Sequence, residues 1–211
     1  MTEFYVDDLL SELDIHIDNF PWTNRESYGN LLAQIYHWVS KSTRMLAFCA
    51  SRLGVEAESM HQRFLAHAVE EKGHHLLALH DLKALGYEVS EFPELTTTAA
   101  FYQSQFYKIE YEHPLSMIGY IIALEGFSVR RGQQIYEIVH ERFGSAASTF
   151  IQVHTVDDLD HLPKILKLVA GLPDMEQRMI RTNLRQSIEL FTLMLGEIVK
   201  KSPATRISPE D

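Results

Sequence analysis

Residues 114–129 read PLSMIGYIIALEGFSV, an apolar tract with a single charged residue, Glu125. Its core, Met117 to Leu124, is the longest apolar run in the chain and falls far short of the roughly 20 residues that a membrane-spanning helix needs. Pro114 suits the first turn of a helix, and the residue before it, His113, is pushed out of the helical region. The tract therefore predicts a buried helix from Pro114 to about Phe143, closed by Gly144-Ser145.

Working outward, apolar residues recur at helical spacing from end to end, and no stretch shows β-branched alternation bounded by turns. The reading is all-α, a single compact bundle of about seven helices. The others are expected at about Thr2–Asn19, Ser27–Leu53, Glu58–Leu85, Thr97–Glu112, Ala146–Val169 and Pro173–Lys201, with Tyr87–Leu95 as the longest connection. Residues 1–201 are expected as one helical domain and 202–211 as a disordered tail.

The chain has 211 residues, 45% hydrophobic and 23% charged, enough for one sizeable core. Nineteen lysines and arginines stand against 29 acidic residues, a formal charge of -10 without a basic cluster, which argues against nucleic acid or an anionic membrane as partner. The acidic start, MTEFYVDDLL, is unlike a secretory signal, so a cytoplasmic location is expected. Cys49 is the sole cysteine, which excludes an intrachain disulfide and a thiolate-rich metal site. Any metal must be held by nitrogen and oxygen, and eleven histidines offer the nitrogen.

Three features carry chemistry. Glu125 is a carboxylate in the middle of a buried helix, where it must be protonated, paired or metal-bound. In IQVHTVDDLDHL, His154, Asp158 and His161 stand at i, i+4 and i+7, within about 60° of one another around a helix. Two imidazoles and a carboxylate on one stripe make half of a metal site. Asp157 and Asp160 point elsewhere, and Pro163 is expected to kink or restart the helix just after His161. In HAVEEKGHHLLALHDLKALG, Glu71 and His74 at i and i+3 can reach one ion, with Glu70, His75 and His67 as alternates or as support behind the ligands. His16, His37, His61, His80, His113 and His140 are read as surface or packing residues. Glu71, His74, Glu125, His154, Asp158 and His161 together would hold two divalent ions, and with no cysteine ligand the set suits oxygen activation over electron transfer.

In the order and spacing of these motifs the sequence resembles the haem-oxygenase-like dinuclear iron oxidases and oxygenases. They share a seven-helix fold with thiaminase II and pyrroloquinoline-quinone synthase. The resemblance covers about residues 27–200 and rests most on His154-x-x-x-Asp158-x-x-His161. It implies two iron ions, with manganese as the substitute, no haem, and dioxygen used to oxidise a small aliphatic or amino-acid-derived substrate. It also implies an external electron donor and a homodimer. By this resemblance Glu125 bridges or chelates, Glu71 and His74 complete one site, and His154, Asp158 and His161 are shared. Phe64, Met117, Tyr120, Ile121, Ile122 and Phe127 are expected as pocket walls. A metal-free hydrolase of the thiaminase II type would need a cysteine nucleophile, and Cys49 lies too early in the chain to supply it; no nucleophile is assigned. Haem would need a proximal histidine such as His16 or His37 and would leave Glu125 unexplained. A non-catalytic binding module on the same fold is the remaining alternative.

Overall fold

The computed structural model describes residues 3–201, apart from the side chains of residues 3–5 and 157–160. Nine α-helices are present among the described residues. They are α1 (Glu3–Asp18), α2 (Arg25–Val39), α3 (Ser42–Ser51), α4 (Glu58–Glu70), α5 (His74–Ala84), α6 (Thr96–Tyr111), α7 (Met117–Phe143), α8 (Thr149–Ala170) and α9 (Asp174–Lys201). The described residues form no strand, as an all-α sequence requires. The expected tail, 202–211, lies outside the described residues.

Two expected helices are each broken in two. The span expected as Ser27–Leu53 breaks because the Ser40 hydroxyl donates to the carbonyl of His37, and Lys41 N–H bonds Trp38 O at 2.9 Å where a continuing helix would use His37. The span expected as Glu58–Leu85 breaks at Gly73, whose φ of 93° lies in the left-handed region that glycine tolerates. Lys72 N–H there reaches back only to Val69 O, and α5 restarts at His74. Conversely, Pro163 does not restart its helix: α8 runs unbroken from Thr149 to Ala170, with Pro163 on the exposed side where water can serve the carbonyl it frees.

Helix α7 is the axis, packing lengthwise on α8 and α9, while α2 lies on α5, α3 on α4 and α6 on α9. One continuous apolar cluster draws on every helix of the bundle; each large side chain in it contributes about 1.5–3 kcal/mol by leaving water. The seam between α7 and α9 is tight at Gly119, where an added Cβ would stand 2.3 Å from the carbonyl oxygen of Ile180. At the other face, Leu10 of α1 sits over Gly126, and Arg130 and Arg131 of α7 hold α1 through Asp14 and Asp18.

Buried polar groups fix the connections. Gln34 accepts from Leu95 N–H and the Thr98 hydroxyl and donates to Asn30 and Pro93, tying the start of α6 to α2. Asn183 donates to Gln105 and to Ser116 O, both at 2.7 Å, which joins α9 to α6 and to the entry of α7. Asp81 of α5 accepts from Phe150 N–H at 2.8 Å in the first turn of α8, setting the register of the helix that carries His154 and His161. Among the described residues no helix is long and apolar enough to cross a membrane.

Candidate metal centre

The break at Gly73 shapes the first half of the site. Glu71 caps α4 and His74 opens α5, so the two side chains meet across a turn and not along one helical face, with Glu71 Oε2 3.5 Å from His74 Nδ1. His154 of α8 completes the group: one donor atom from each of Glu71, His74 and His154 lies within 4.8 Å of the others. His74 and His154 meet edge to face at 4.8 Å between ring centroids. The Nδ1 of His154 is 2.8 Å from Phe150 O, one turn back. A carbonyl only accepts, so Nδ1 carries a proton and Nε2 is the nitrogen that can ligate a metal.

The second half adjoins it. His67 is buried, and its Nε2 is 3.7 Å from Glu71 Oε1 and 3.7 Å from Glu125 Oε1. His161 Nδ1 is 3.9 Å from the same Glu125 oxygen. Glu71 therefore stands between the two groups, one oxygen toward His67 and the other toward His74. Asp158, expected between His154 and His161, falls among the side chains outside the described residues.

The electrostatics follow from this crowding. Burial would raise the Glu71 carboxyl, but the facing imidazoles of His67 and His74 and the charge of His154 outweigh it and hold the group well below the usual carboxylate range. His161 is lowered by burial, against the raising influence of Glu70, with His67, Arg63 and Lys164 also pushing it down. A cation binds the ionised carboxylate and displaces the proton from any imidazole nitrogen that ligates it.

The remaining candidates sort by what they touch. Glu70 turns away to Arg63, at 3.0 Å. His75 stacks near Tyr36, at 5.9 Å between centroids. His61 bonds Ala50 O, His37 lies 3.2 Å from Phe92 O, His113 caps the turn at Leu115, His140 is near Ser148, His80 pairs with Asp81, and His16 is exposed.

A cavity of about 130 Å³ opens beside the centre, with Glu71, Glu125, His67 and His154 in its wall. Of the residues expected as pocket walls, Met117, Tyr120, Ile121 and Phe127 line it. Ile122 is packed in the core, and Phe64 lines a second cavity that shares only His67 and Ile121 with the first. Sequence reasoning missed Trp22, Trp38, Phe150 and Phe191 in this wall. Phe150 carried a signal, one turn before His154 on the same face; the other three come from distant segments and carried none.

The family model for iron-containing redox enzymes matches residues 30–192. The chain belongs to that family. Solved structures agree on the fold. A domain of unknown function with a heme oxygenase-like fold from Shewanella denitrificans has a TM-score of 0.82 at 15% identity, over 92% of this chain and 90% of its own. A TenA homolog from Pseudomonas syringae pv. tomato has a TM-score of 0.74 at 11% identity, over 92% and 91%. A CadD-like protein of unknown function from Nostoc punctiforme has 0.69 at 14%, over 94% and 99%. No curated protein matches the chain.

The donor set fits the iron that the family description implies. Glu71, His74 and His154 converge from three segments within reach of one ion, all nitrogen and oxygen, with the His154 tautomer already set for ligation.

Proposed function

We propose that this chain is a non-haem iron oxidoreductase that uses dioxygen to oxidise a small organic substrate held in the cavity beside Glu71 and His154. The observation that carries the reading is the juxtaposition of the Glu71, His74 and His154 group with that cavity. Iron would be held at Glu71, His74 and His154. A second ion would be held at His67, Glu125 and His161, with Glu71 shared and Asp158 as a further ligand. Bound ferrous iron supplies electrons to dioxygen, a reaction no side chain here can perform alone.

The chain's own residues do the rest. Glu71 supplies charge in ionised form, and the Phe150 carbonyl orients the His154 ring by taking its Nδ1 proton in a hydrogen bond. The apolar walls, among them Trp38, Ile121 and Phe127, hold the carbon skeleton of the substrate and keep water away from the reacting atoms. An external donor would restore the electrons, and the cytoplasm is the proposed location. A metal-free hydrolase of the thiaminase II type is the competing reading. It gains little from Cys49, whose thiol is buried, bonded to Pro114 O and absent from the cavity wall.

The test is anaerobic loading with ferrous iron, measurement of iron per chain, then oxygen uptake and optical spectroscopy on exposure to air, with Glu125→Ala alongside. Two irons per chain in the wild type, oxygen consumed, and iron lost in the variant are expected. A wild-type protein that binds no iron overturns the proposal.

A further inference from the structure

Tyr120 is buried to 3% exposure on α7, one residue beyond the tight Gly119 seam, and its hydroxyl has no hydrogen-bond partner among the described residues. The other deeply buried tyrosine shows what a structural hydroxyl does in this fold: Tyr28 donates to Ala147 O at 2.8 Å. The ring of Tyr120 packs on Phe101, with centroids 4.9 Å apart, a contact that phenylalanine would make equally well. A buried donor without a protein partner is available to a molecule in the space it faces, and packing alone does not explain the hydroxyl. Burial and the negative charge of Glu71 both push its pKa up, so it stays protonated and keeps a hydrogen to donate.

Tyr120 shares the wall of the 130 Å³ cavity with Glu71 and Glu125. Both tryptophans of the chain, Trp22 and Trp38, lie in the same wall, as does Phe127. A space of this size admits a molecule about as large as benzene. The aromatic lining favours a ring, and in the metal-free polypeptide the two carboxylates disfavour further negative charge.

We propose that Tyr120 is a specificity-determining donor: its hydroxyl hydrogen-bonds a neutral acceptor oxygen, such as a ketone or amide carbonyl, on an uncharged, ring-sized apolar ligand seated in this cavity. This names the substrate class for the oxidoreductase reading, yet it concerns binding to the polypeptide alone and stands or falls without metal.

The experiment is calorimetric titration of metal-free protein with two probes of nearly equal shape, acetophenone, which carries a carbonyl, and ethylbenzene, which does not. The wild type should bind acetophenone about tenfold more tightly, the effect of one buried hydrogen bond that satisfies an otherwise unmade donor. Tyr120→Phe should erase that preference, leave ethylbenzene affinity unchanged, and melt at or above the wild-type temperature. Equal affinity of the wild type for the two probes, or binding of neither, overturns the proposal. So does a variant that melts well below the wild type, because the hydroxyl would then have a structural partner within the protein. Loss of iron binding in a separate assay would sink the oxidoreductase reading and leave this result untouched.

Discussion

Adding one methyl group at Gly119 tests the helical seam on which the centre depends. Glycine in the middle of a helix costs about 1 kcal/mol relative to alanine, so Gly→Ala at an uncrowded helical position stabilises. Neither Gly119 nor Gly196 has positive φ, so backbone conformation does not bar alanine at either. The difference lies in what the Cβ meets. At Gly119 it would stand 2.3 Å from Ile180 O, 2.6 Å from Leu184 N and 3.1 Å from Asn183 C, all backbone atoms of α9. Ordinary contact begins at 3.4 Å, so α9 must retreat by about 1 Å along the seam that buries Ile180, Leu184 and Ile188. Overpacking of this kind costs about 1–3 kcal/mol or more, and rigid backbone puts Gly119→Ala at the upper end. Net of the helical gain, a destabilisation of about 2 kcal/mol is expected. Gly196, with no atom within 4 Å of its added Cβ, is the control and should gain about 1 kcal/mol. Urea unfolding should therefore separate the two variants by about 3 kcal/mol, and melting by on the order of 10 °C. If Gly119→Ala is as stable as Gly196→Ala, α7 and α9 do not approach as described, and the placement of Glu125 and Tyr120 on α7 loses its support.

The other expectations are simpler. Glu125→Ala should keep its helical circular dichroism and lose metal affinity by about 100-fold, since a binding energy on the scale of a structural zinc site, about 10–16 kcal/mol, shared by the five proposed donors assigns roughly 2–3 to each; equilibrium dialysis with ferrous iron reads it. Cys49, fully buried and with its thiol pushed up by desolvation, should resist a thiol reagent in native protein and react once unfolded, and rapid native labelling would contradict its placement. Asp81→Ala should cost about 2 kcal/mol by stripping the acceptor from Phe150 N–H. Burial raises the Asp81 carboxyl, so the folded state favours its protonated form; its contribution is fully present at low pH and declines as pH rises through the raised folded value. Asp81→Asn keeps an acceptor and should flatten that decline in urea titrations from about pH 4 to pH 7, while an unchanged slope would assign it elsewhere.

How much of this was legible before the structure depends on how local the signal is. The buried tract around Glu125 and the stripe of His154 and His161 are read from periods within single helices, and the helices are there. The break at Gly73 was not read, because glycine inside a helical pattern is tolerated as often as it ends one. It changes how Glu71 and His74 meet, from one face of a helix to two ends of a turn. His67 is read from the sequence as an alternate ligand or as support behind the ligands; only the structure shows that it lies between Glu71 and Glu125.

By itself, then, the sequence determined the all-α class, the family to which the chain belongs and the residue types suited to holding a metal. These follow from hydrophobic period and from the chemistry of imidazole and carboxylate, which are properties of short segments. Which imidazoles share a carboxylate, which oxygen of Glu71 faces which ring, and which aromatic side chains close the cavity were decided only by tertiary structure. Several of those relations join residues far apart in the chain, such as His67 with Glu125 or Trp22 with Phe150, and their distances are set by how the segments pack and not by the period of any one helix.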